Sequence, residues 1–146
     1  MKSPTAEARS GVALAICCLL CLIGSPCCTT VLYQGPKRAP EELATIASGT
    51  DTWIRKIDGT EVSDHTGYRF EVLPGRHSIH LVGSHVIPGV FVTRTVSSKR
   101  IAICLRAKPG ETYTVKASLD DGRWTLTADE GSSGENVAYD CSLDRP

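Results

Sequence analysis

The sequence is poor in large side chains: 146 residues include 2 Trp, 4 Tyr, 2 Phe and a single Met. A broad aromatic platform of the kind that stacks bases or rows of sugars is not on offer, and most of these rings are needed to fill a core. An excess of one charge is lacking too. Lys and Arg number 16 and so do Asp and Glu, which sets aside nucleic acid as a partner, because non-specific binding to it requires a basic surplus. The longest apolar run, Gly11 to Gly24, has 14 residues, against the roughly 20 that a helix needs to span a bilayer. Beyond that run no convincing helical periodicity is found, nor a nucleophile elbow, a phosphate-cradling glycine loop, a HExxH pair or a dinucleotide fingerprint. The chain reads as a non-enzyme that carries no cofactor.

Cysteine is plentiful, but it is unevenly placed. Of 7 cysteines, Cys17, Cys18, Cys21, Cys27 and Cys28 lie at the start, and Cys104 and Cys141 are left for the body. The start has the form of an export signal: a polar stretch with Lys2, Arg9 and Glu7, then the apolar run, then Ser25-Pro26-Cys27-Cys28. A cysteine just past a short apolar run is where bacterial lipoproteins are cleaved and acylated. Cys28 fits best, with small Cys27 before it and Ser25 at the third position back; Cys27, the alternative, follows Pro26. A plain cleaved signal and an uncleaved apolar anchor are the competing readings. Several acyl chains such as palmitate on one cysteine hold a protein to a membrane, where a single short chain binds reversibly.

Four segments follow: a helical signal over residues 1–27, a flexible tether over 28–40 with two prolines, a β-domain over 41–129, and a Gly/Ser-rich acidic tail over 130–146. Without residues 1–27 the charge becomes −1, from 14 bases and 15 acids, because Lys2, Arg9 and Glu7 are removed. The tail would be disordered by composition, but Cys141 gives it a tie.

In the body, period-2 alternation and β-branched residues predict an all-β fold, a single antiparallel β-sandwich of seven to eight short strands. A short helical turn is expected near Pro40 to Leu43. Strands are expected at Leu43–Ser48, Thr52–Ile57, Tyr68–Leu73, Arg76–Val82, Lys99–Ala107, Thr112–Leu119 and Arg123–Ala128, with an edge-like segment at Val86–Val96. Asp58-Gly59 and Asp120-Asp121-Gly122 are hairpin turns, and Pro74-Gly75 and Pro109-Gly110 read as two further hairpins.

The export signal implies an oxidising compartment, so Cys104 and Cys141 are expected to pair, closing a loop worth roughly 3–4 kcal/mol in the chain-entropy model. By alternation Ile101, Ile103 and Leu105 share one face and Cys104 lies on the other, so the bond would strap the tail over that second face. His65, His77, His80 and His85 invite a metal reading, with Asp64 as an added ligand. In a strand, however, His77 and His80 point to opposite faces, so no metal site is assigned and His77, His80 and His85 stay weak candidates. The acid pairs Glu41-Glu42, Asp120-Asp121 and Asp129-Glu130 are accounted for by turns and solubility. Trp124 and Tyr113 are expected in the core, and Trp53, alternating with Arg55, has a surface position open to it.

Ile57-Asp58-Gly59-Thr60, then Phe70-Glu71-Val72-Leu73-Pro74-Gly75-Arg76-His77-Ser78-Ile79-His80-Leu81, resembles the PEGA and PEGA-like β-sandwich repeats of bacterial surface proteins. There an Asp-Gly hairpin is followed by a strand, a Pro-Gly turn and a His-bearing return strand. Ala107 to Val115 and Gly122-Arg123-Trp124 look like small lipoproteins of Gram-negative bacteria. The Pro-Glu-Gly-Ala tetrad itself is absent. The resemblance spans roughly residues 51–128 and implies an envelope binding or structural module without catalytic residues. The expectation is a non-catalytic lipoprotein of the bacterial envelope, lipid-anchored, on the outer membrane facing the periplasm. Its ligand, an envelope protein or a carbohydrate, stays open. The alternatives are a periplasmic metal-binding protein using its histidines and a small secreted enzyme inhibitor.

Overall fold

The computed structural model describes residues 29–62 and 68–144 as two β-sheets of five strands each, packed face to face. Cys27, Cys28 and the signal segment lie outside the described residues, as do Asp64 and His65. The elements in chain order are β1 (Thr29–Val31), a 3-10 turn (Pro40–Glu42), β2 (Ala44–Ser48), β3 (Thr52–Ile57), β4 (Thr60–Glu61), β5 (Arg69–Val72), β6 (Gly75–Ile87), β7 (Arg94–Ser97), β8 (Ile101–Ala107), β9 (Thr112–Asp120), β10 (Arg123–Glu130) and a closing 3-10 turn (Cys141–Asp144).

One sheet has the order β1-β5-β2-β9-β10. The other runs β4-β3-β6, and β7 and β8 together line the far side of β6. Alternation on each strand supplies the core: Ile46, Phe70, Val72, Tyr113 and Val115 from the first sheet meet Ile54, Ile57, Ile79, Leu81, Ile103 and Leu105 from the second. At about 25 cal/mol per Å² of apolar surface removed from water, this two-sided layer is the dominant favourable contribution to the fold. The expected all-β sandwich is what forms, although two of its pairings, β1 with β5 and β2 with β9, are parallel.

Both Asp-Gly turns behave as expected. Asp58 and Gly59 (φ 48 and 82) join β3 to β4, and Asp121 and Gly122 (φ 45 and 76) join β9 to β10. The two Pro-Gly pairs do not make hairpins. β5 and β6 lie in different sheets, as do β8 and β9, so Pro74-Gly75 and Pro109-Gly110 are corners where the chain crosses between sheets. Local sequence marks a reversal there but carries no information on which strand receives the partner.

Two other expectations change. Thr29–Val31, assigned to the flexible tether, is an edge strand paired with Arg69–Glu71. The tail is ordered as far as Asp144: Val137 N–H donates to Ala128 O on the free edge of β10, and Cys104 and Tyr139 exchange both backbone hydrogen bonds on the free edge of β8. The tail therefore ties one edge of each sheet together, and it runs beside β8 rather than only across its face. Its own backbone had donors and acceptors to place, and two unpaired edges were within reach.

Candidate functional site

A third hairpin extends beyond the strand expected at Arg76–Val82. Gly75–Ile87 is a single strand of 13 residues, returned by β7, a break at Ser98–Arg100, and β8. Its first half is a central strand, with β3 on one side and β8 on the other. From Ser84 the pairing is with β7, and the two strands leave the sandwich as a ribbon. At its tip Pro88-Gly89 starts a tight turn in which a Cβ on Gly89 would lie 2.3 Å from the Val92 carbonyl oxygen, so only glycine fits. The apolar residues here are bare. Val90, Phe91 and Val92 are 92%, 96% and 75% exposed, and Val86 and Ile87 on the ribbon are also exposed. Singly exposed apolar residues are ordinary, whereas five adjoining ones on a projecting turn form a patch. The expected edge-like segment Val86–Val96 held this signal, a Val-Phe-Val run beside Pro-Gly with no acid nearby.

The register also fixes which end of the sandwich the ribbon leaves. Thr29 pairs with Arg69, and Arg69 with Ala47 near the end of β2. A short turn then carries the chain to Thr52, which pairs with Gly83, the last residue of β6 before the ribbon. β1 runs parallel to β5, so Thr29, its first residue, stands at this same end. Exposed charges there are of both signs: Asp51, Asp120 and Asp121 against Arg69, Arg94, Lys99, Arg100 and Arg123.

Among the described residues the histidines His77, His80 and His85 are spread along β6. His77 is buried; its Nδ1 lies 2.5 Å from Asp58 Oδ2 and its Nε2 2.7 Å from the Leu73 carbonyl oxygen, so both ring nitrogens face protein oxygens and neither is open to a metal. Asp58 Oδ1 accepts the Ser78 backbone N–H at 2.8 Å, which locks the β3–β4 turn onto β6. His80 points to the opposite face beside Glu61, whose carboxyl is held below its ordinary range first by a hydrogen bond from Lys56. His85 is exposed on the ribbon. No three His, Cys, Asp or Glu side chains form a metal-holding group among the described residues.

Cys104 and Cys141 are joined by a disulfide, with Cα atoms 5.0 Å apart. Cys104 is fully buried under the tail. Beside the tail lies a shallow depression of about 270 Å³ lined by Ala102, Ile103, Leu126, Ala138, Tyr139 and Asp140.

One buried acid was missed. Glu130, assigned to a solvated pair with Asp129, is 6% exposed. Lys108 Nζ lies 2.7 Å from its Oε1, and Ser133 Oγ donates to its Oε2 at 3.0 Å. Those bonds, Lys108 first, keep the carboxyl below its ordinary range, and the same contact raises the Lys108 ammonium. The Tyr113 hydroxyl accepts the Lys108 backbone N–H at 2.9 Å, and burial pushes its pKa up. The cluster pins the β8–β9 corner to the end of β10. Strand parity gave the clue, since Glu130 lies two residues past buried Ala128.

Tyr113 lies in the core as expected, Trp124 packs against it half-buried, and Trp53 is half-buried on β3. Among the described residues no helix is long and apolar enough to cross a membrane. The chain matches no family model, no curated protein and no solved structure.

Proposed function

We propose that this chain is a membrane-tethered, non-catalytic β-sandwich of the bacterial envelope, held by acyl chains on Cys28, with Cys27 as the alternative, on the outer membrane facing the periplasm. The sandwich is its interaction or structural module. The observation that supports this reading is the Cys104–Cys141 bond: the two cysteines of the body meet, which suits the oxidising compartment that the export-type start would deliver the chain to. The PEGA-like residues around Asp58-Gly59 point the same way, although Pro74-Gly75 is a corner between sheets and not the hairpin of that pattern. Strand β1 begins one residue after Cys28, so a lipid there would hold the sandwich against the membrane by a chosen end, where a long tether would leave it free to turn.

Fractionation of cells with intact-mass measurement tests it. The native chain should sediment with membranes and carry acyl mass at the cysteine that begins the mature protein. The Cys27→Ser, Cys28→Ser double variant should lose that mass and its processing. A native chain found in the soluble fraction with an unmodified N-terminus would sink the anchored reading.

A further inference from the structure

We propose that the Val90-Phe91-Val92 tip is a second membrane contact, which inserts between the lipids of the same bilayer that holds the N-terminus and sets the angle at which the sandwich stands. The inference rests on the anchored reading above, and it adds a lipid-binding element that the anchor does not require.

Three observations carry it. First, the tip is apolar, bare and shaped by its own turn: Val90, Phe91 and Val92 are 92%, 96% and 75% exposed, and Gly89 closes against the Val92 carbonyl. None of the three side chains carries a polar group, so burial among acyl chains leaves no side-chain donor or acceptor unpaired. Second, Thr29 and the ribbon share one end of the sandwich, so whatever holds the residues before Thr29 brings the tip to the same surface. The apolar run Gly11–Gly24 lies in that preceding stretch. Third, the three side chains of the tip are uncharged, and the charges around this end are of both signs, Asp51, Asp120 and Asp121 with Arg69, Arg94, Lys99, Arg100 and Arg123, so insertion into a neutral lipid is driven by apolar burial.

The dimensions agree. From Ser84 to Ile87 the ribbon rises roughly 10 Å at strand spacing. β1 stands at the edge of the other sheet, offset sideways by roughly 10–20 Å from strand and sheet spacings. Anchor and tip reach one plane when the sandwich leans, so two-point contact fixes a tilted orientation.

The test uses the membrane-extracted full-length product carrying Phe91→Trp, reconstituted in phosphatidylcholine vesicles with and without bromine on the acyl chains, alongside intact mass. Phe91 is almost fully exposed, so the substitution leaves the fold intact. The fluorescence added over that of the parent should be blue-shifted and quenched by the brominated lipid, independently of salt, and a further Val90→Asp should return quenching to the parent level. Acyl mass with an unquenched, water-exposed tryptophan would overturn the tip and leave the anchor standing. Quenching on added vesicles without acyl mass would uphold the tip and remove the anchor. Neither acyl mass nor quenching would overturn both. A blue shift that brominated lipid does not quench would place the tip against protein, a second copy if dilution abolishes it, and would also overturn the proposal.

Discussion

The indole of Trp124 occupies the place where Gly83 would carry a side chain: a Cβ on Gly83 would lie 2.4 Å from Trp124 Cζ3 and 2.7 Å from the Ala117 Cβ. The two residues belong to opposite sheets, Gly83 at the point where β6 leaves the sandwich and Trp124 on β10. This contact decides how closely the sheets approach at the ribbon's root.

Gly83→Ala should therefore destabilise by about 1–3 kcal/mol, the usual cost of overpacking, read as a lower urea midpoint at unchanged slope. Combining it with Trp124→Phe should cost less than the sum of the two single changes, because the smaller ring vacates the contested space. Strict additivity would show that the contact is not what excludes a side chain at Gly83.

Asp58 combines a positive φ with two acceptor roles, toward His77 Nδ1 and the Ser78 N–H. Asp58→Ala should cost about 2–4 kcal/mol from the strained backbone and two abandoned donors. Asp58→Asn tolerates the same backbone and keeps one acceptor, so it should cost less than half as much. Equal losses in thermal or urea unfolding would rule out the backbone contribution.

Glu130 makes stability sensitive to acid. Its carboxyl is lowered from an ordinary value of 4.5 by Lys108 and Ser133, so the folded state holds the ionised form more tightly than the unfolded chain does. The contribution is complete above the unfolded value and is lost as pH falls through the lower folded value. Glu130→Gln should flatten the acid limb of a stability-against-pH curve measured below pH 4.5, and also the alkaline loss above 10.5 that the raised Lys108 ammonium brings. An unchanged acid limb would assign that sensitivity to other carboxyls.

Replacing Cys104 and Cys141 together by alanine opens a loop of 37 residues, and the chain-entropy model puts the loss near 3–4 kcal/mol. Amide exchange should quicken first at Val137 and Tyr139, whose N–H groups donate to Ala128 and Cys104, and only later at Ile79 and Leu81 in the core. Uniform acceleration would mean that the tail and the sandwich open as one unit.

What could be read from the sequence follows from which signals are local. Thr52–Ile57 was placed to the residue, because alternation and a following Asp-Gly turn both act within a few positions. Pro74-Gly75 was recognised as a reversal but given the wrong partner strand, since the choice between hairpin and sheet crossing depends on packing far along the chain. The ribbon was split at Val82 because Gly83, Ser84 and His85 interrupt the apolar alternation, while their hydrogen bonds, such as Gly83 N–H to Ser98 Oγ, keep the strand going. The tail escaped for the same reason: its composition reads as disorder, and the edges that order it come from β8 and β10. Glu130 was visible only by counting strand parity past the point where polarity suggested the strand had stopped.

The tail also bears on how the domain behaves in a crowd. The free edges of β8 and β10 that it covers are rows of backbone donors and acceptors, able to pair with a strand of any neighbouring molecule once uncovered. Cys141 is the covalent point that keeps the cover in place. Solubility of this domain is thus coupled to its thiol chemistry: a reduced population can stay folded in the core and still become sticky along two edges, so aggregation would begin before unfolding does.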